Sequence, residues 1–282
     1  MKATLVAGPV DPVVVRLRFD EDRPTDRGDR AGCPRLTGRL VGVTDQPSAP
    51  ATGRVLVVED EMTLAGMVAA YLSRAGFDTA VVHTGIEAVA AVRENEPDVV
   101  ILDLGLPGLD GIEVCRQIRT FSDCYIVITT ARKEEIDTLI GLSVGADDYL
   151  TKPFSVRELV ARVQTVLRRP RTGSRAHAQK DATVWSFGDL RVDPVGHEIH
   201  LCDEPVALTP TERDLLITLA ARPAMAFTRA QLIEEVWGAG WVGDEHLVDV
   251  HIAHLRRKLS DDPDTARYVT TVRGVGYRMG KG

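Results

Sequence analysis

No stretch of the 282-residue chain approaches the roughly 20 consecutive apolar residues that a membrane-spanning helix needs, although 44% of its residues are hydrophobic. The apolar runs are strand-length and interrupted, so a soluble cytoplasmic protein without a membrane partner is expected. An export signal is also lacking, because Leu5-Val-Ala-Gly-Pro9-Val-Asp11-Pro12 is broken by prolines and an acid. Cysteine is sparse: Cys33, Cys115, Cys124 and Cys202 form no CxxC pair and no regular ligand spacing. They read as incidental thiols of a reducing compartment. His197 and His200 make an H-x-x-H pair, but without a second ligand pair a zinc site is disfavoured. Excess positive charge is missing as well, since 34 Lys and Arg face 41 Asp and Glu for a net charge of −7. Bulk charge therefore gives no attraction to nucleic acid, while a local basic surface stays open.

A chain this long has room for two domains. Residues 1–53 are rich in Pro, Gly, Asp and Arg without sustained apolar periodicity, and read as a disordered extension or as an artefact of where translation is assigned to begin. From 54 to 169, strand-like runs alternate with amphipathic helical stretches five times, the pattern of a parallel sheet flanked by helices. The strands are expected near 54–58, 78–82, 98–102, 124–129 and 147–151. The helices are expected near 61–75, 84–94, 111–120, 133–144 and 155–169. Residues 170–183 are polar and patternless, as a linker is. From 184 to 282, short alternating runs give way to three helical stretches and a closing hairpin around Arg273-Gly-Val-Gly. Two of those helices carry explicit starts, Thr209-Pro210-Thr-Glu212 and Thr228-Arg-Ala-Gln231, each offering a capping box.

The chemistry sits at strand ends. Asp103 closes the apolar run Asp98-Val-Val-Ile-Leu, Glu59-Asp60 closes an earlier one, Thr130 follows a third and Lys152 follows a fourth. In a doubly wound sheet of order 2-1-3-4-5, strands one and three are neighbours and ligands bind beyond their carboxyl ends. Glu59 and Asp60 then face Asp103. Three acids in one cleft oppose each other's ionisation unless a cation joins them, and Mg²⁺ suits a few carboxylate oxygens with water and phosphate. Thr130 and Lys152 would bring a hydroxyl and an ammonium to the same carboxylate, which suits phosphoryl transfer to an aspartate. The Lys152-Pro153 bond is a candidate for the cis form.

Val-Val-Glu59-Asp60-Glu61, Asp103-Leu-Gly-Leu-Pro107-Gly-Leu-Asp-Gly111, Thr130-Ala131 and Gly145-Ala-Asp-Asp-Tyr149-Leu-Thr-Lys152-Pro-Phe together resemble the receiver domain of bacterial response regulators. The resemblance implies that Asp103 takes a phosphoryl group from a sensor histidine kinase. It implies that Glu59, Asp60 and Asp103 hold Mg²⁺, that Thr130 and Lys152 bind the phosphoryl oxygens, and that Tyr149 turns inward when Thr130 moves. Glu59 stands where an aspartate is more frequent. An aspartate-dependent phosphohydrolase is the enzyme alternative, but such enzymes carry a second acid two residues after the nucleophile, where this chain has Gly105. A regulator with this fold that works without phosphate is the other alternative.

The resemblance continues through Leu208-Thr-Pro-Thr-Glu212, Leu232-Ile-Glu-Glu-Val-Trp237, Val248-Asp249-Val-His251-Ile and Thr271-Val-Arg273-Gly-Val-Gly-Tyr277, which are similar to OmpR/PhoB winged-helix domains. If Val248, Ile252, Leu255 and Leu259 face the core, helical projection places His246, Val250, Ala253, His254 and Arg257 on the opposite side, a surface for the major groove. Arg273 in the hairpin could enter an adjacent minor groove. Taken alone, Arg256-Arg257-Lys258 is an ordinary solvated helix end complementing the macrodipole. His246 and His254 stand where arginines are often found. By resemblance, phosphorylation produces a homodimer through 133–144, 147–151 and 155–169, with Asp147–Arg162 and Asp148–Arg169 as intermolecular pairs. Thr138 stands where a basic partner for Glu158 is usual. The expectation is a transcription regulator rather than an enzyme, with a histidine kinase, promoter DNA and RNA polymerase as partners.

Overall fold

The computed structural model describes residues 53–131, 145–167, 184–241 and 243–282. Residues 1–52 of the N-terminal extension, the whole of the expected helix at 133–144 and the 170–183 linker lie outside the described residues. The first domain comprises β1 (Arg54–Val58), α1 (Met62–Arg74), β2 (Asp78–Val82), α2 (Gly85–Asn95), β3 (Val99–Asp103), α3 (Gly111–Arg119), β4 (Tyr125–Thr130), β5 (Asp148–Thr151) and α4 (Val156–Leu167). Its five strands are all parallel in the order β2-β1-β3-β4-β5.

Alternation along the buried strands builds two cores, because successive side chains point to opposite faces. Val55 and Val57 of β1 join Leu72 of α1 with Leu159 and Val163 of α4 on one side. Leu56 and Val58 join Val92 of α2 with Val114 and Ile118 of α3 on the other. Each fully buried Leu or Ile contributes on the order of 1.5–3 kcal/mol. The sheet thus becomes a rigid platform whose carboxyl ends carry Glu59, Asp103, Thr130 and Lys152.

The second domain comprises β6 (Trp185–Phe187), β7 (Leu190–Asp193), β8 (Glu198–Leu201), β9 (Glu204–Pro205), α5 (Pro210–Ala221), β10 (Phe227–Thr228), α6 (Arg229–Trp237), α7 (His246–Lys258), β11 (Val269–Val272) and β12 (Gly276–Met279). An antiparallel sheet β6-β7-β8-β9 precedes the helices, and a second antiparallel sheet β10-β12-β11 closes the domain. Both anticipated capping boxes form, Thr209 with Glu212 and Thr228 with Gln231. The helices pack around Leu215, Leu219, Leu232, Val248, Ile252 and Leu255, with the β11–β12 hairpin as a wing beside α7.

One glycine fixes the turn that carries Asp103. A Cβ on Gly111 would lie 2.4 Å from the Asp103 carbonyl oxygen and 2.9 Å from Leu104 Cα, closer than packed atoms tolerate. Gly111→Ala should therefore displace the β3–α3 turn, lower stability by about 1–3 kcal/mol and slow any chemistry at Asp103. Denaturant unfolding checks this, and an unchanged midpoint would contradict it.

Candidate functional site

The carboxyl ends of β1, β3, β4 and β5 converge on one cleft. Candidate oxygens of Glu59, Asp60 and Asp103 all lie within 4.8 Å of one another. Glu59 and Asp103 are buried and Asp60 is exposed. Lys152 Nζ lies 2.9 and 2.8 Å from the two Glu59 carboxylate oxygens and 3.0 Å from Asp103 Oδ2. Burial pushes the Glu59 carboxyl up, Lys152 draws it back, and the neighbouring Asp103 charge raises it further. Burial opposes the Lys152 charge, but hydrogen bonds to Glu59 and Asp103 outweigh that and hold its ammonium above the usual range. Lysine thus supplies the counter-charge for these acids.

Thr130 is buried at the end of β4, and the Lys152 amide donates to its carbonyl at 2.7 Å. The Lys152–Pro153 peptide is cis. Gly105 leaves room beside the nucleophile candidate, since a Cβ there would stand 3.4 Å from Asp103 Oδ2. Hard oxygen donors at this spacing, one of them open to solvent, fit Mg²⁺. Tyr149 is buried, and its hydroxyl makes no hydrogen bond among the described residues.

In the second domain, His246, Ala253 and Arg257 are exposed along α7, and Arg273 is exposed at the tip of the wing. Val250 and His254 are buried instead, at 2% and 4% exposure. Helical projection counts only one core, but α7 is covered on a second side. His254 Nδ1 is 3.9 Å from Glu212 of α5, and the adjoining His251 lies at the junction between the domains. Within the basic run the side chains separate. Arg256 is buried and donates to the Val269 carbonyl and Thr271 Oγ1 of the wing, and Lys258 donates to Glu212 at 2.6 Å. Arg257 faces outward.

The junction was not legible in the sequence. Asp147, fully buried just before β5, accepts from Arg119 Nη2 at 2.5 Å, the Ile126 amide at 2.9 Å and the Thr211 amide of α5 at 3.1 Å. Arg162 Nη1 donates to both carboxylate oxygens of Asp148, at 2.9 and 2.7 Å. The Arg162 guanidinium lies 5.0 Å from the centre of the Trp241 ring. Gly238, ending α6, has space for no side chain, because its Cβ would fall 2.5 Å from Thr165 of α4. Asp147, Asp148 and Arg162 are thus engaged within one chain, Asp148 with Arg162 and Asp147 with Arg119. The pairing Asp147–Arg162 expected between subunits would require these contacts to be exchanged. Arg169, expected opposite Asp148, lies outside the described residues.

An acid-lined α/β domain whose β5 edge and α4 rest on a winged helix-turn-helix defines a class: a regulator whose input domain touches its own DNA-binding domain. Residues 55–164 match the family model for the response regulator receiver domain, and 203–279 match that for the C-terminal domain of transcriptional regulatory proteins. The chain is 46% identical over 227 residues to the DNA-binding response regulator MtrA of Mycolicibacterium smegmatis, covering 80% of this chain and 96% of that protein. It is 44% identical over 225 residues to the sensory transduction protein RegX3 of the same organism, covering 80% and 98%. Among solved structures, a cysteine-to-serine variant of RitR superposes with a TM-score of 0.65 at 28% identity, covering 82% of this chain and all of that one. The chain belongs to the OmpR/PhoB-type response regulators. It is a two-component response regulator that regulates transcription. Among the described residues, no helix is long and apolar enough to cross a membrane.

His251 gives the junction a pH signature. Its ring is 1% exposed, packs 5.5 Å from the Trp237 ring and faces Asp147, Glu212 and His254. Burial lowers its pKa to about 4 from the ordinary 6.5, against the pull of the two acids. Its contribution to stability is therefore fully present above pH 6.5 and is lost as pH falls from 6.5 towards 4, by up to on the order of 3 kcal/mol. Thermal unfolding of His251→Gln should decline less than wild type across that window. Parallel curves would show that His251 is already protonated or exposed.

Proposed function

We propose that Asp103 is the phosphoryl acceptor. One carboxylate oxygen attacks phosphorus of a phosphohistidine on a sensor kinase, the P–N bond breaks as the P–O bond forms, and the departing imidazole takes a proton. Lys152 meets the phosphoryl oxygens, and the Thr130 hydroxyl donates to them. Glu59, Asp60 and Asp103 would hold Mg²⁺, which when bound neutralises charge on the transferring group. The observation that carries this reading is the position of Lys152 Nζ within 3.0 Å of both Glu59 and Asp103. Preorganised positive charge at a nucleophilic carboxylate is what phosphoryl transfer demands.

The output is promoter DNA, read by α7 with His246, Ala253 and Arg257 outward, and by Arg273 from the wing. Val250 and His254, the other residues of that helix face, are buried in this structure, His254 beside Glu212 of α5. In the resting chain the Asp147–Thr211 contact and the α4 packing restrain the DNA-binding domain. Phosphorylation weakens this contact through Thr130 and Tyr149 and frees the β5–α4 face for a second copy, with Asp147, Asp148, Arg162 and Arg169 in the interface. The cytoplasm is its compartment, RNA polymerase is a further partner at the promoter, and Asp103 serves a signal rather than turnover.

Incubation with Mg²⁺ and acetyl phosphate should add one phosphoryl mass to the wild-type chain and none to Asp103→Asn. Labelling of the variant at the wild-type extent would move the acceptor elsewhere. Lys152→Met should still bind Mg²⁺ but take up phosphate at least tenfold more slowly, since one charge-stabilising group typically contributes that much or more. Wild-type kinetics in that variant would remove Lys152 from the chemistry.

A further inference from the structure

An acid occupies the outward side of the DNA-reading helix. Asp249 stands one turn after His246 and one turn before Ala253, where approaching phosphates would meet a negative charge. Three donors from three elements converge on it. Arg229, the first residue of α6, donates Nε to Asp249 Oδ1 at 2.8 Å. Tyr277 of β12 donates its hydroxyl to the same oxygen at 2.6 Å. His246 Nδ1 lies 3.0 Å from Oδ2. Partial burial opposes the Asp249 charge, but Tyr277, Arg229 and His246 outweigh it and hold the carboxyl below the usual range. One carboxylate therefore pins α6, α7 and the wing together.

Arg229 is the member of this cluster with donors to spare. Its Nε goes to Asp249 and it shares a side-chain hydrogen bond with Tyr277, its side chain is 36% exposed, and its guanidinium lies 5.4 Å from the centre of the Tyr277 ring. A guanidinium carries five N–H donors, so these two partners leave terminal N–H groups to spare. An arginine gripped through Nε keeps its planar edge of terminal N–H groups pointed away from the grip, the geometry that takes a phosphate by two parallel hydrogen bonds. In helix-turn-helix docking, the helix preceding the recognition helix crosses the DNA backbone. Arg229 begins that helix.

We propose that Arg229 is a DNA-phosphate contact and that Asp249 is the positioning residue that aims it, with Tyr277 as the wing-side brace. This rests on α7 being the DNA-reading helix. The placement accounts for an acid on that surface: Asp249 repels DNA weakly as a partly shielded charge, but fixes the direction of a cation that binds it. Lysine cannot replace this arginine, because a single ammonium cannot hold Asp249 and span a phosphate at once.

The test measures binding of the full-length chain to a labelled duplex that the wild type selects from random double-stranded DNA, and to a scrambled duplex, across a salt series. Arg229→Ala should weaken both by about tenfold and reduce the slope of log affinity against log salt by about one. Arg229→Lys, which keeps the charge, should recover less than half of that loss on a logarithmic scale. Asp249→Asn removes a negative charge from the DNA face, so simple electrostatics expects tighter binding; positioning expects several-fold weaker binding with a reduced slope. Thermal unfolding of each variant separates these effects from misfolding. Asp249→Asn binding as tightly as wild type or tighter, or Arg229→Lys binding at full strength, overturns the proposal. Arg257→Ala supplies the control. If it weakens binding while the Arg229 and Asp249 variants do not, this inference alone fails. If none of them changes affinity, the assignment of α7 fails with it.

Discussion

Asp147 is the residue on which the arrangement of the whole chain turns. A carboxylate without solvent exposure is costly unless its lone pairs are filled, and here they are filled from three directions. Arg119 supplies charge, Ile126 supplies an amide from the receiver sheet, and Thr211 supplies an amide from the first turn of α5 in the other domain. The receiver core and the DNA-binding domain thus share a single buried anion. A negative charge at the start of a helix is also favourable to its macrodipole, so the contact holds α5 by more than one hydrogen bond. Around it, Arg162 against Trp241 and Thr165 against Gly238 extend the same junction.

The two cation-bearing sites of the receiver then have different tasks. At the carboxyl end of the sheet, Lys152 stands among three acids, and its embrace by both Glu59 oxygens keeps the pocket charged yet folded. At the β5 edge, Arg119 and Arg162 neutralise Asp147 and Asp148 within the chain. Only a few residues of β5 separate Lys152 from Asp147 and Asp148. A shift of β5 that follows a new charge at Asp103 would therefore be felt at the junction, which makes the strand a short mechanical link between chemistry and DNA occupancy.

Most of the scaffold could be read from the sequence, because buried parallel strands are written as short apolar runs. The expected strand at 54–58 coincides with β1, and the others fall within a residue or so of β2 to β5. The capping boxes at Thr209 and Thr228 were equally plain, since a cap acts over three residues. What escaped depends on groups far apart in the chain. Asp147 meets Thr211 across 64 positions, and Asp148 takes Arg162 where intermolecular partners had been expected. Val250 and His254 were assigned to an open face because a helical wheel counts one core, and α7 is covered on two sides. Asp249 gave no signal at all: an acid on a helix surface is ordinary until Arg229 and Tyr277 are seen to meet at it.

The central claim is that the receiver restrains the DNA-binding domain through the Asp147 contact and releases it on phosphorylation. Hydrogen exchange of peptides covering 209–220 and 246–258, followed in the full-length chain before and after treatment with Mg²⁺ and acetyl phosphate, addresses it most directly. The account predicts protection of the Thr211 amide and of the His251 side of α7 in the resting chain, with faster exchange at both once Asp103 is phosphorylated. Rapid exchange at Thr211 in the resting chain, or protection that survives full phosphorylation, would contradict it.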